Sequence, residues 1–213
     1  MPQVQTQTVT RAYNFEIRAE NNEKNGDHII GRPIVYDSKT DLGYFDEIIE
    51  RGALDDANLK DVRFLVNHDV SMIPLARSRR NNENSTMQMS IDDDGMEIRV
   101  NLDTENNTDA RNLYSAIKRG DITGMSFMFS IDDEEWENLD SDHPTHHIRK
   151  ISEVLEVSAV TFPAYEATEI SARAKETLDS VKSTLDSVRA QSVDTDKDKL
   201  ELEKLKAHYL YQI

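Results

Sequence analysis

Apolar and polar residues alternate with a period of two in short segments from Arg11 to Phe162. That rhythm commits most of this stretch to β-strands, because successive side chains on a strand point to opposite faces. Tyr13, Phe15 and Ile17 alternate with Asn14, Glu16 and Arg18, which predicts a strand over 11–20. Asn25-Gly26-Asp27 is a turn signal, and 29–36 supplies the partner strand of a hairpin. Met87 to Ile91 and Met96 to Leu102 flank Asp94-Gly95 and predict a second hairpin. Further strands are expected over 61–67, 121–131 and 154–162, the last stopped by Pro163, and 45–49 reads as a short strand or turn. One helix interrupts them. Ala110, Leu113, Ala116 and Ile117 have helical spacing over 108–119, and Gly120 stands where a C-cap belongs. The expected fold is α+β and strand-rich, a compact β-barrel with surrounding helices and a helical C-terminal tail.

The tail is set apart by charge. The chain of 213 residues carries a formal charge of −16, yet from Ala172 onward Lys/Arg and Asp/Glu balance at 8 each. An acidic body therefore precedes a neutral tail. In the tail, Leu178, Val181, Leu185 and Val188 keep a short heptad-like spacing, Asp194 to Lys199 break it, and Leu202, Leu205 and Tyr209 resume it. The Gln- and Thr-rich residues 1–10 read as a flexible lead-in, 11–171 as the main domain and 172–213 as the helical tail.

Several functions are disfavoured. A charge of −16 opposes broad contact with nucleic acid, which depends on Lys and Arg neutralising phosphates. Apolar runs fall far short of the ~18 residues of a membrane span, and the first residues lack a signal-peptide pattern. Without cysteine there is no disulfide, thiolate metal site or cysteine nucleophile, which fits a reducing cytoplasm. No phosphate-binding Gly-rich loop or His-Glu-x-x-His is present, and Met128 breaks a Gly-x-Ser-x-Gly elbow.

Three residues stand out as candidates for chemistry, each with a plain structural reading beside it. Ser126 shares a strand face with Met128 and Ser130, opposite Met125, Phe127 and Phe129, so it is either a solvated strand serine or a nucleophile. Glu156 lies in an otherwise apolar or small-residue strand from Val154 to Phe162. A carboxylate buried there needs a cation or imidazole partner, unless the strand is an edge facing water. His68 ends the apolar strand 61–67 and is either structural or a general base. His143, His146 and His147 follow seven acidic residues in 132–142. Their spacing matches no specific metal template, and a solvated acidic loop is the simpler reading.

Residues 13–172 resemble the tailed-phage prohead (capsid-maturation) protease family. The similarity runs through Phe15 to Glu20, Ile30 to Asp37, Glu50 to Leu54, Val66 to Asp69, Gly120 to Phe127 and Leu155 to Tyr165, in that order. It implies a fold like that of herpesvirus assemblins, with His68 as general base, Ser126 as nucleophile and Glu156 as third triad member. It places an oxyanion hole near Ala164-Tyr165. Two positions depart from the family pattern. Met128 replaces a common Gly and narrows the substrate groove, and Ala76 to Arg80 replace a short Gly-Arg turn.

The resemblance implies a serine endopeptidase acting inside the assembling prohead in the host cytoplasm, with no metal or organic cofactor. Its substrates would be the scaffolding protein or the scaffold domain of the major capsid protein, and the protease itself. The tail is either a segment that docks on scaffold and is removed by self-cleavage or a surface helix with no partner; oligomeric state is left open, and no nucleic-acid or membrane partner is expected. The competing readings are a non-enzymatic capsid or scaffold component and an acidic nucleic-acid mimic.

Overall fold

The computed structural model describes residues 7–13, 17–22, 26–161, 175–176 and 178–183. The chain divides into two units, Met1–Ala172 and Arg173–Ile213. In the second unit 175–176 and 178–183 are helical with Leu178 buried; the rest of the expected tail helix lies outside the described residues.

The first unit is built from two sheets. In the larger, β1 (Gln7–Tyr13), β10 (Gly124–Glu137), β11 (Thr145–Val160), β5 (Asp46–Ile49) and β4 (Lys39–Asp41) lie in that order. The sheet forks along β11. Its first residues pair in parallel with β5, and Glu156–Ala159 pair in parallel with Arg63–Val66 of β6 (Asp61–Val66), beyond which lies β7 (Ala76–Arg79). The smaller sheet is an antiparallel run of β2 (Ile17–Asn22), β3 (Gly26–Val35), β9 (Gly95–Asn101) and β8 (Met87–Asp92).

Both predicted hairpins form, as β2–β3 and β8–β9. In the second, Gly95 has φ +135°, and a Cβ there would lie 2.0 Å from the Ile34 carbonyl oxygen. Only glycine fits this approach of β3 to β9. Helix α1 (Thr108–Arg119) spans the predicted residues. Asn107 Oδ1 accepts from the Asp109 and Ala110 amides, and Gly120 ends the helix with φ 78°.

The expected closed barrel is not found. Closure requires the two outer strands of one sheet to pair. Among the described residues β1 pairs only with β10, while β4 and β7 end the two branches on the other side. One apolar core instead draws on both sheets and α1, with Phe64, Phe127, Phe129, Ile29, Met96 and Ile98 almost fully buried.

Two local expectations also change. The strand expected over 11–20 is two strands in different sheets, and Gln7 to Thr10, composed like a lead-in, pair with Ile131 to Met128. The acidic stretch is not a loop throughout. β10 runs to Glu137 and β11 starts at Thr145, so most of it is the exposed end of a long antiparallel ribbon.

Candidate active site

Three adjacent strands of the larger sheet bring the candidate side chains together. On β10, Met125, Phe127 and Phe129 are fully buried in the core, which turns Ser126 to the opposite face. That face is not solvated here, since Ser126 is itself fully buried. Ser126 pairs with Ser158 of β11, and Glu156 lies two residues before Ser158 on the same face. The parallel pairing of β6 with β11 aligns Val66 with Ala159, so the chain leaves β6 beside the same spot.

His68 arrives through an unusual turn. Asn67 and His68 both have left-handed backbones, with φ 50° and 57°. Such conformations cost non-glycine residues free energy, least for residues such as Asn and His, and persist only when neighbours hold them. β11 and the residue after it supply the holding. The Asn67 amide donates to Ala159 O (3.0 Å), Asn67 Nδ2 donates to Thr161 Oγ1 (3.0 Å), and the Thr161 amide donates back to Asn67 Oδ1 (2.9 Å). The His68 amide donates to Ser158 Oγ (3.1 Å), and Ser158 Oγ donates to Glu156 Oε2 (2.6 Å).

The imidazole then bridges the other two groups. His68 Nε2 lies 2.6 Å from Ser126 Oγ, and His68 Nδ1 bonds Glu156 Oε1. Glu156 is buried, so the partner demanded by its apolar strand is His68. A hydroxyl, an imidazole and a carboxylate in this sequence of contacts can activate the hydroxyl as a nucleophile. The Ser126 hydroxyl has a second acceptor, Arg11 O at 2.7 Å. One proton thus faces two acceptors, the imidazole and the β1 backbone.

Arg11 is anchored on the far side of the sheet. Its Nε and Nη2 donate to Glu47 Oε1 (2.6 Å) and Oε2 (2.7 Å) in a buried bidentate pair. His146 lies between Glu47 (3.1 Å from Nδ1) and Glu134 (2.7 Å from Nε2) and stacks on Trp136. Burial pushes the Glu47 carboxyl up, but Arg11 and His146 outweigh it and hold its pKa at about 2. Burial works against a charged His146, yet hydrogen bonds to Glu134 and Glu47 leave its pKa raised.

The three clustered histidines do not converge. His143 faces Asp46 and Asp41, His146 is in the buried network, and His147 contacts Glu50. Asp41, Asp46 and His143 place ligand atoms within 4.8 Å of one another, but the Lys39 ammonium already pairs with Asp46 at 2.5 Å. Ser158, Asn67, Thr161 and Arg11 belong to the site without having been singled out in the sequence. Only Ser158 carried a signal, a hydroxyl two residues from Glu156 on an otherwise mostly apolar strand. The proposed oxyanion segment near Ala164-Tyr165 lies outside the described residues.

Comparison with known proteins gives this geometry its family. No curated protein matches the sequence. Among solved structures, the bacteriophage T4 capsid assembly protease gp21 is similar with a TM-score of 0.44 and 13% identity, over 73% of this chain and 98% of that one. The sequence model of the caudovirus prohead serine proteases matches residues 13–183. That span holds Ser126, His68 and Glu156 together with the turn and strands that join them, and the chain belongs to the caudovirus prohead serine proteases, a family of serine peptidases of the phage prohead.

Proposed function

We propose that the chain cleaves peptide bonds through an acyl-enzyme formed on Ser126, with His68 as general base and Glu156 as its orienting carboxylate. The observation that carries this is the 2.6 Å contact of His68 Nε2 with Ser126 Oγ, with Nδ1 of the same ring on Glu156. With Nδ1–H donated to Glu156, Nε2 has its lone pair toward Ser126. It takes the hydroxyl proton as Oγ attacks the scissile carbonyl carbon, and Glu156 stabilises the imidazolium. The imidazolium then gives that proton to the leaving amine, and water hydrolyses the acyl-enzyme by the reverse proton movements. These steps draw on no metal or organic cofactor.

The protonated ring behaves differently. Nε2–H then donates to Oγ, and the hydroxyl donates to Arg11 O, so no lone pair is available to accept its proton. Activity therefore falls on the acid side as His68 gains a proton.

The substrates are the scaffolding protein or the scaffold domain of the major capsid protein, and the chain itself, inside the assembling prohead in the host cytoplasm. The tail 172–213 docks on scaffold and is lost by self-cleavage. The test is intact mass over time for wild type and Ser126→Ala, alone and with assembled precursor capsids. Shortening of wild type and scaffold only with Ser126 present supports the reading; equal cleavage by both proteins overturns it.

A further inference from the structure

A pocket of about 340 Å³ opens beside the triad, on the outer face of the larger sheet. Leu65, Met128 and Leu155 come from β6, β10 and β11, while Val70, Met72 and Pro74 come from the segment that follows His68. Its volume is at the low end for small-ligand sites, which run from about 300 Å³ upward. We infer that this pocket receives an uncharged aliphatic side chain of the substrate, within two residues of the scissile bond, and that Met128 sets its breadth. The inference rests on the catalytic reading of Ser126.

Position is the first argument. Met128 lies two residues after Ser126 on the same face of β10, which at about 3.3 Å per residue places it about 7 Å along the strand. Glu156, the cross-strand partner of Met128, also lines the pocket. An extended peptide whose carbonyl meets Ser126 has its same-face side chains at this same interval.

Chemistry is the second argument. Apart from Arg63 and Glu156, the lining is entirely apolar. Both Glu156 oxygens are already engaged inside the site, Oε1 by His68 and Oε2 by Ser158. Arg63 shares Asp61 with Arg77: Asp61 accepts from Arg63 Nη2 (3.1 Å) and from Arg77 Nε (2.6 Å) and Nη2 (2.8 Å). One carboxylate facing two guanidiniums leaves this wall with a positive charge that offsets the Glu156 carboxylate, so the pocket offers a lysine or arginine side chain no unbalanced negative partner. At its edge the apolar surface is still uncovered, with Val70 77% and Ile73 83% exposed. Apolar area left in water beside a reactive group gains by meeting an apolar chain.

The experiment is cleavage-site profiling of a denatured-proteome peptide library by the full chain, with Ser126→Ala as the blank, repeated for Met128→Ala and Met128→Phe. The wild type is expected to select Leu, Ile or Met at one position within two residues of the cut, by about tenfold to a hundredfold over Ala. Met128→Ala should admit Phe and Tyr there at least about tenfold better relative to Leu, and Met128→Phe should erase the preference for Leu over Ala. Ser126-dependent cleavage with no aliphatic preference, or with a preference unmoved by both substitutions, overturns the pocket assignment and leaves the triad standing. Absence of any Ser126-dependent cleavage overturns both.

Discussion

The backbone amide of His68 donates to Ser158 Oγ at 3.1 Å, and that hydroxyl donates to Glu156 Oε2 at 2.6 Å. One buried serine thus fixes the turn that carries the imidazole and the carboxylate that meets it. Ser158→Ala removes a hydrogen bond to a charged group, worth about 1.5–3 kcal/mol, and should lower kcat by about tenfold to a hundredfold. KM should change little and the acid limb of the pH profile should move. Thr at 158 restores the hydroxyl and should recover most of the rate. Steady-state kinetics of both variants across pH checks this; a proportional loss at every pH with no rescue by Thr would mean a purely structural role.

Glu156→Gln keeps the size of the side chain but offers an amide N–H as readily as a carbonyl to His68 Nδ1. The ring can then turn its Nε2–H toward Ser126 and lose the ability to accept. Turnover should drop by about ten-thousand-fold, against on the order of a million-fold for Ser126→Ala or His68→Ala. The double variant Ser126→Ala/Glu156→Gln should be no slower than Ser126→Ala alone. Single-turnover cleavage of scaffold measures all four.

The network around Glu47 predicts a pH dependence of stability. With a folded pKa of about 2 against 4.5 for the ordinary carboxyl, the contribution of Glu47 is fully present above pH 4.5 and is lost as pH falls from there through about 2. His146 has the opposite sign: its raised pKa stabilises the fold below the ordinary value of 6.5 and loses effect as pH rises through the folded value. Glu47→Gln removes the carboxylate opposite a buried guanidinium and should cost on the order of 3–5 kcal/mol at neutral pH. Urea unfolding at pH 7 and pH 3 should show this deficit shrinking at the lower pH.

Gly95→Ala places a methyl group 2.0 Å from Ile34 O on backbone that cannot yield without breaking the β3–β9 pairing. A loss of at least about 2 kcal/mol is expected. Gly26 has φ 61°, in the left-handed region that L residues can adopt, and a Cβ there meets nothing within 4 Å, so Gly26→Ala should cost less. Thermal melts of the two variants side by side measure the combined cost of the clash and the stricter backbone at Gly95.

What the sequence made legible follows from range. The β8–β9 hairpin and α1 are written in adjacent residues, Asp94-Gly95 in one case and the helical spacing that ends at Gly120 in the other, and they form where expected. The split of 11–20 between two sheets was not legible, because alternation continues across the break and says nothing of which partner each half takes. The charged half of β10 was hidden for another reason. Asp132 to Glu135 are exposed on a ribbon of paired strands, so burial leaves no apolar rhythm to read. In the site, Glu156 announced itself as a carboxylate in an apolar strand. Asn67 and Thr161 did not, since their contact spans 94 residues and serves only a turn geometry.

Ser126, His68 and Glu156 cannot be brought together before β11 is in place. His68 and Glu156 are separated by 88 residues and meet only through the parallel pairing of β6 with β11, which cannot begin until the chain through Ala159 exists. Parallel pairings of such long separation form late, after local hairpins and helices. A growing or partly unfolded chain, however much of β2–β3, β8–β9 and α1 it has formed, lacks the strand that joins β6 to β10 and so has not brought the His68 imidazole to the Ser126 hydroxyl. Completion of the fold is thus itself the first safeguard against premature cutting, and any fragment that ends before β11 should be inert.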